Sequence, residues 1–400
     1  MLKFIGGILI VIGTCIGAGL LALPVSTSTT GFLYSIIVLI GSWIVMSFGA
    51  FFILEVTQWL PPGANLISIA KSTLGKKGEI AAWFLYLLLC YSLLCAYIAG
   101  GSDIFHSFSA KLDTPAGQSV TAVLFVLVLG FVVYKGIRDL DIVNRFLMII
   151  KFTAFFVLIF LIFPHIKIPN LLSGNFRYIL SAVTVAVTSF GFAIVIPSLL
   201  DYFNGNVKVV RRIIFCGTLI PLICYILWNF VIMGALPRTG NNGLIHILQT
   251  GNAGSGLVAS LKDTLYLNSI TDVGNVFAAV CMLTSFLGVS LALSDFIADG
   301  FQIKKNRKGK IKICALTFIP PLAIVIFYPQ IFIVALSYAG IVVIMLLVLL
   351  PVIMVWSGRY KRKISDGYKV FGGKYSLVVV ACIAVIILII GILENLKIIP

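Results

Sequence analysis

Two kinds of residue in this chain could do chemistry, and both stand in strongly apolar surroundings. Lys151 lies inside "NRFLMIIKFTAFF", and Ser290, Ser294 and Asp295 lie inside "TSFLGVSLALSDFIAD". An ionisable side chain at mid-depth in hydrocarbon costs on the order of 2.5–3.5 kcal/mol, so its presence points to function. Lys151 offers an ammonium that can take up and release a proton; the competing reading is a lysine snorkelling to an interface. Ser290 and Ser294 are four residues apart and share one helix face.

The second kind is backbone. "GTCIGAG" holds Gly13, Thr14, Cys15, Gly17, Ala18 and Gly19, with Pro24 beyond; "TSFGF" holds Ser189, Phe190, Gly191 and Phe192, with Pro197 beyond. In hydrocarbon every N–H and C=O must find a partner. Unwinding a helix at these glycines releases several such groups, which is tolerable only where a ligand, an ion or a water cavity satisfies them. The N–H groups and positive dipole at the start of a half-helix suit a carboxylate, and the released carbonyls suit an ammonium. Glycine lets a ligand approach the backbone. An amino acid is the ligand such a pair of breaks implies. Close helix packing by small residues is the competing explanation.

Elements must position these groups. The chain is 60% hydrophobic and 10% charged, with a mean hydropathy of +1.14. That excludes a water-soluble globule. Runs of about 20 apolar residues recur, each long enough to cross a bilayer, and they lack the alternation of a β-barrel. The reading is an all-α integral membrane protein with eleven spans, near 4–29, 33–59, 80–105, 117–134, 144–163, 178–200, 212–236, 272–299, 311–327, 330–356 and 375–394. The first apolar run continues into this pattern with no clear cleavage site, so a removable signal peptide is not expected. The net charge of +16 is not a nucleic-acid signature but a loop bias. With the N-terminus cytoplasmic and the C-terminus periplasmic, 23 of the 29 basic residues fall inside. The outer connection 237–270 reads as two amphipathic helices, "GLIHILQT" and "GLVASLKDTLYL", around "GNAGSG".

The glycine–proline pairs 17–24 and 191–197 fall in spans one and six, which run in opposite directions. Interrupted segments at matching places in two halves are the best sequence pointer to a transporter's central site. The halves are expected at 4–163 and 178–356, with 375–394 an additional helix.

"GTCIGAGLLALP", "NRFLMIIKFTAFF", "TSFGFAIVIPS", "TSFLGVSLALSDFIAD" and "FIPPLAIVIFYPQIFIVALSYAG" together make the chain resemble the bacterial hydroxy and aromatic amino acid permeases, nearest their tyrosine-specific branch. The likeness runs the length of the chain. It implies the leucine-transporter-type 5+5 inverted repeat with helices 1 and 6 broken, and proton-coupled inward transport of aromatic amino acids, serine or threonine. It also implies that Lys151 stands where sodium-driven relatives hold sodium, beside the helix 1 break. Ser290, Ser294 and Asp295 would flank the same place, Asp295 as a candidate partner for Lys151. "SFGF" points to the aromatic branch. Members of that branch carry a histidine directly after it; here the residue is Ala193, which leaves the choice among tyrosine, tryptophan and phenylalanine open and removes one candidate proton carrier.

The expected function is therefore a proton-coupled symporter for aromatic amino acids, tyrosine first, in a bacterial inner membrane. The rivals are a serine/threonine symporter of the same fold and a non-transporting sensor. Phe190, Phe192, Tyr91, Tyr97, Trp228 and Phe286 are candidate walls for an aromatic ligand. Glu55, Asp201 and Asp299 read as structural carboxylates near span ends. His106, His165 and His246 lack metal-like spacing, and the eight cysteines read as packing residues. No catalytic residue, metal, cofactor, nucleic acid or obligate protein partner is expected beyond substrate, protons and the lipid bilayer.

Overall fold

The computed structural model describes residues 2–107, 115–135, 137–304 and 306–396, the side chains of residues 2, 107, 115, 116 and 137–145 excepted. Lys111, Lys305 and Lys397, counted above among the loop charges, lie outside the described residues.

The first apolar run forms two helices, α1 (Leu2–Cys15) and α2 (Ala18–Ser26), bent by 50° at the glycine segment. Then come α3 (Phe32–Thr57), the short α4 (Leu66–Leu74), α5 (Lys76–Ser107), α6 (Pro115–Lys135), α7 (Ile137–Ile162) and α8 (Ile168–Leu172). The sixth run is again interrupted. α9 (Val183–Ser189) ends before a tight turn of 3₁₀ geometry at Gly191–Val195, and α10 (Ile196–Tyr202) follows, with Pro197 in its first turn where a missing N–H costs nothing. α11 (Val207–Ala235), α12 (Leu244–Thr250), α13 (Ala253–Leu265), α14 (Asn268–Gly300), α15 (Arg307–Phe327), α16 (Phe332–Ile344), α17 (Leu350–Trp356) and α18 (Gly373–Asn395) complete the chain. α16 and α17 join through a wide turn into one long element. Among the described residues ten helices are long and apolar enough to cross a membrane, eleven with the bent α1–α2 pair counted as one.

Several ends differ from the hydropathy reading. α11 begins at Val207 rather than 212 because Asn206 accepts from the Val209 N–H, so the helix continues past the apolar stretch through Lys208, Arg211 and Arg212. The sixth span begins at Val183, the residues before it forming turns. In the 237–270 connection the two helices are present, but α13 takes in "AGSG". Only Gly251, left-handed at φ 75°, and Asn252 separate α12 from α13.

Two sets of helices pack around α16, which lies against both α5 and α9. α1 lies on α11, α11 on α3, and α3 on α9 and α10; separately, α14 packs on α5 and α7, and α15 on α5 and α6. α12 and α13 lie over α2. At that end, Arg238 donates to Ser28 O (3.0 Å) and Thr29 O (2.7 Å), capping the carbonyls beyond α2, and Asp103 of α5 accepts from the N–H and hydroxyl of Ser255. Gly31 and Gly174 bridge in antiparallel fashion. Gly31 has φ 86°, and a Cβ there would strike the Ser173 carbonyl, so only glycine fits. At the opposite end Glu55, fully buried on α3, takes a two-pronged ion pair from Arg359 (2.6 and 2.5 Å) and the Val370 N–H (2.7 Å). Asp201 accepts from the Gly63 N–H. Both carboxylates hold structure together.

Candidate functional site

The break between α1 and α2 leaves backbone groups that the helices cannot satisfy, and three side chains meet them. The Cys15 carbonyl accepts from the Tyr225 hydroxyl of α11 at 2.6 Å. The Ile16 carbonyl accepts from the Lys151 ammonium of α7 at 2.6 Å. The Ala18 N–H, first in α2, donates to Ser285 Oγ of α14 at 3.0 Å. Gly17 is needed because a Cβ there would collide with that same Ser285 hydroxyl.

Lys151 is 1% exposed, in the middle of α7. It does not snorkel. Besides Ile16 it reaches the Thr284 hydroxyl at 3.3 Å; Thr284 itself donates back into α14, to the Val280 or Cys281 carbonyl, which turns a lone pair toward the ammonium. The expected pairing with Asp295 is thus corrected. Asp295 lies eleven residues beyond Thr284 on α14, about 16 Å along the axis. Ser294 bonds Thr317 of α15 (3.3 Å), while the Ser290 hydroxyl is buried with no partner among the described residues. Neither touches the ammonium.

The second break faces the first. A Cβ on Gly19 would come within 2.6 Å of Ser189 Oγ, so glycine is what lets α2 meet the end of α9. The Ser189 carbonyl accepts from Tyr225, at 2.9 Å. One hydroxyl therefore lies between the carbonyls of both breaks. Phe190 is fully buried, edge-on to the Tyr225 ring (5.2 Å, 77°). Phe192 is equally buried, on the turn that packs against α1 and α3. Around Gly191 there is room: a Cβ would meet only Val343 Cγ2, at 3.9 Å. Other residues named from the sequence are spent locally. The Thr14 hydroxyl bonds back to Ile10 and Val11, Ser189 Oγ to Val185, and Gly13 accommodates Met148. Of the remaining aromatic side chains, Tyr97 is buried on α5. Tyr91 bonds the Leu316 carbonyl, Trp228 packs between Phe155 and Phe277, and Phe286 packs between Phe125 and Phe318.

Two partners of the breaks, Tyr225 and Ser285, and the Lys151 partner Thr284 were not singled out from sequence. The available signal was a hydroxyl at mid-span, since each lies deep inside an apolar run. Chemically, the ensemble presents carbonyls of Cys15, Ile16 and Ser189 that accept from an ammonium or a hydroxyl, an Ala18 N–H that donates to an oxygen, and room for a Cβ at Gly191.

A bundle whose first and sixth apolar runs are interrupted and face each other has a fold of the leucine-transporter type. The crystal structure of MhsT in complex with L-phenylalanine matches it with a TM-score of 0.65 over 98% of each chain at 14% identity, which shows the shared fold. The tryptophan/tyrosine permease family profile matches residues 1–391, and the chain belongs to that family. Tyrosine-specific transport systems 1 and 2 of Haemophilus influenzae are 36% and 32% identical to it, each over 97% of this chain and 96% of theirs. The tryptophan-specific transport protein of the same organism is 31% identical over 94% of this chain and 92% of its own.

Proposed function

We propose that the chain is a proton-coupled symporter that imports aromatic amino acids, tyrosine first, across a bacterial inner membrane by alternating access. The observation that carries this is the pair of facing helix breaks whose carbonyls are held by a lysine and a tyrosine, with open space at Gly191. The substrate carboxylate meets the N–H groups that begin α2, its ammonium the carbonyls of Cys15 and Ser189, and its ring the volume near Phe190, Gly191 and Phe192. The tyrosine- and tryptophan-specific relatives support an aromatic substrate. The Lys151 ammonium, bonded to Ile16 and Thr284, ties the end of α1 to α7 and α14; loss of its proton weakens that tie and lets α1 move. Ser290, Ser294 and Asp295 lie further along α14, on the route by which a proton reaches or leaves that site from the cytoplasm.

The two repeats run over 4–163 and 178–356, with 375–394 outside them. The N-terminus is cytoplasmic and the C-terminus periplasmic, which puts α12 and α13 over the periplasmic mouth. One proton moving with a zwitterion carries one charge, worth about 2.3 kcal/mol per 100 mV. At about 1.4 kcal/mol per decade this supports roughly fiftyfold accumulation. The test is uptake of labelled tyrosine by purified protein in liposomes with an imposed inward proton gradient. Excess unlabelled tyrosine should block it and excess serine should not. Uptake blocked by serine instead would favour the serine/threonine reading, and binding without uptake would favour a sensor.

A further inference from the structure

Tyr225 lies within hydrogen-bond distance of the Cys15 carbonyl at 2.6 Å and the Ser189 carbonyl at 2.9 Å, and it is completely buried. A phenol has one proton. It can satisfy one of these carbonyls at a time, while the other faces oxygen lone pairs. An ammonium has three protons and can satisfy both at once, with one left for the phenol oxygen. The arrangement is half of a site for a primary ammonium, closed provisionally by a weaker donor.

We propose that Tyr225 is a positioning residue that stands in for the substrate's ammonium in the empty carrier. Without substrate, its hydroxyl holds the end of α1 to the end of α9 and keeps both breaks in register. When substrate arrives, the ammonium donates to both carbonyls and the phenol oxygen becomes its third acceptor. No proton changes owner; the hydroxyl only rotates. The edge-on contact with Phe190 fixes the ring, so the hydroxyl meets the same two carbonyls each time the carrier empties. This rests on the transporter reading above and adds a specific burden to one half of the cycle. Return of the empty carrier needs the Tyr225 proton, and passage of the loaded carrier does not.

The test compares two assays on Tyr225→Phe in liposomes. The substitution keeps the ring and removes only the donor. Net tyrosine uptake under an inward proton gradient should fall about tenfold or more, because both carbonyls then lack a donor in the empty state. Tyrosine–tyrosine exchange without a gradient, which never requires the empty carrier to cross, should fall only a fewfold, with KM raised to match, because the loaded state loses just the third acceptor of the ammonium while both carbonyls keep their donors. Equal loss in both assays, or no loss of net uptake, overturns the proposal. Failure of wild-type protein to exchange tyrosine would instead sink the transporter reading.

Should the variant not be recovered as monodisperse protein, competition on wild type gives a second measurement. N-methyltyrosine keeps two ammonium protons and should still compete with labelled tyrosine. N,N-dimethyltyrosine keeps one and should compete at least tenfold less well. Equal competition by tyrosine and the dimethyl compound would also overturn the proposal.

Discussion

The two helix breaks resemble each other in sequence but not in how they are held. The first is tied on each side: Tyr225 on Cys15, Lys151 on Ile16, and Ser285 on the Ala18 N–H. The second takes the other Tyr225 bond, on Ser189, and a bond from the Thr188 hydroxyl to the Leu336 carbonyl of α16, and it has room for a Cβ at Gly191. A break with its polar groups bonded to three other helices is suited to transmit movement. A break where one more side-chain atom would meet nothing closer than Val343 is the less tightly packed of the two. In the proposed carrier the first couples and the second selects.

That division of labour can be broken at its strongest point by Lys151→Met. The variant keeps an apolar side chain of similar length but removes the donor to Ile16 and the titrating group. Uptake driven by a proton gradient should fall to background, more than a hundredfold, and exchange should fall less. Wild-type gradient-driven uptake by this variant would remove Lys151 from coupling.

A paired substitution at the glycines sharpens the contrast. Gly17→Ala drives a methyl group into Ser285 and should lower stability by about 1–3 kcal/mol, seen as a lower melting temperature of the purified protein. Gly191→Ala meets nothing closer than Val343 and should melt within a degree or two of wild type. Gly191→Val fills the same volume further and should weaken tyrosine binding at least tenfold with no comparable loss of stability. If the glycines responded alike, the breaks would not differ in kind.

Phe190→Leu tests selection alone. Aromatic contacts add about 0.5–1.5 kcal/mol beyond burial, so tyrosine affinity should drop about two- to tenfold in a competition assay while weak binding of serine stays level. Parallel loss for both would place the ring elsewhere. The smallest effect is expected from Ser285→Ala, which removes the partner of the first N–H of α2. Loss of such a cap costs about 1 kcal/mol, so the apparent KM for tyrosine should rise a fewfold while the coupling of uptake to protons remains.

Much of this architecture was legible in the sequence. The spans follow from apolar runs, and both breaks follow from glycines at mid-span with a proline beyond. The depth of Lys151 was legible from the hydrophobic residues on both sides of it. Its partner was not. Thr284, Ser285, Ser290, Ser294 and Asp295 share one span, and hydropathy assigns residues to a span without fixing which turn of that helix lies level with α7. The carboxylate was the natural choice by charge. The structure gives the ammonium to Thr284 and a carbonyl, because α14 passes the α1 break well before it reaches Asp295. Tyr225 was obscured for a related reason: aromatic residues are common in membrane helices, and only the rotation of α11 shows that this hydroxyl meets two breaks while the neighbouring aromatic Trp228 packs among Phe155 and Phe277.

The ion pair of Glu55 and Arg359 has a consequence for how such a chain can change over generations. The partners are 304 positions apart in sequence, and their side chains are 0% and 5% exposed. Losing one partner of a buried pair leaves a stranded charge and costs about 3–5 kcal/mol, whereas replacing both with apolar residues is often neutral. A single change at either position should therefore lower stability by that amount, and relatives should keep the two residues together or exchange both. Lipid-facing residues such as Phe160 and Leu127 drift independently, one apolar side chain for another. In a lineage that diverges this way, Glu55 and Arg359 disappear from the same branches.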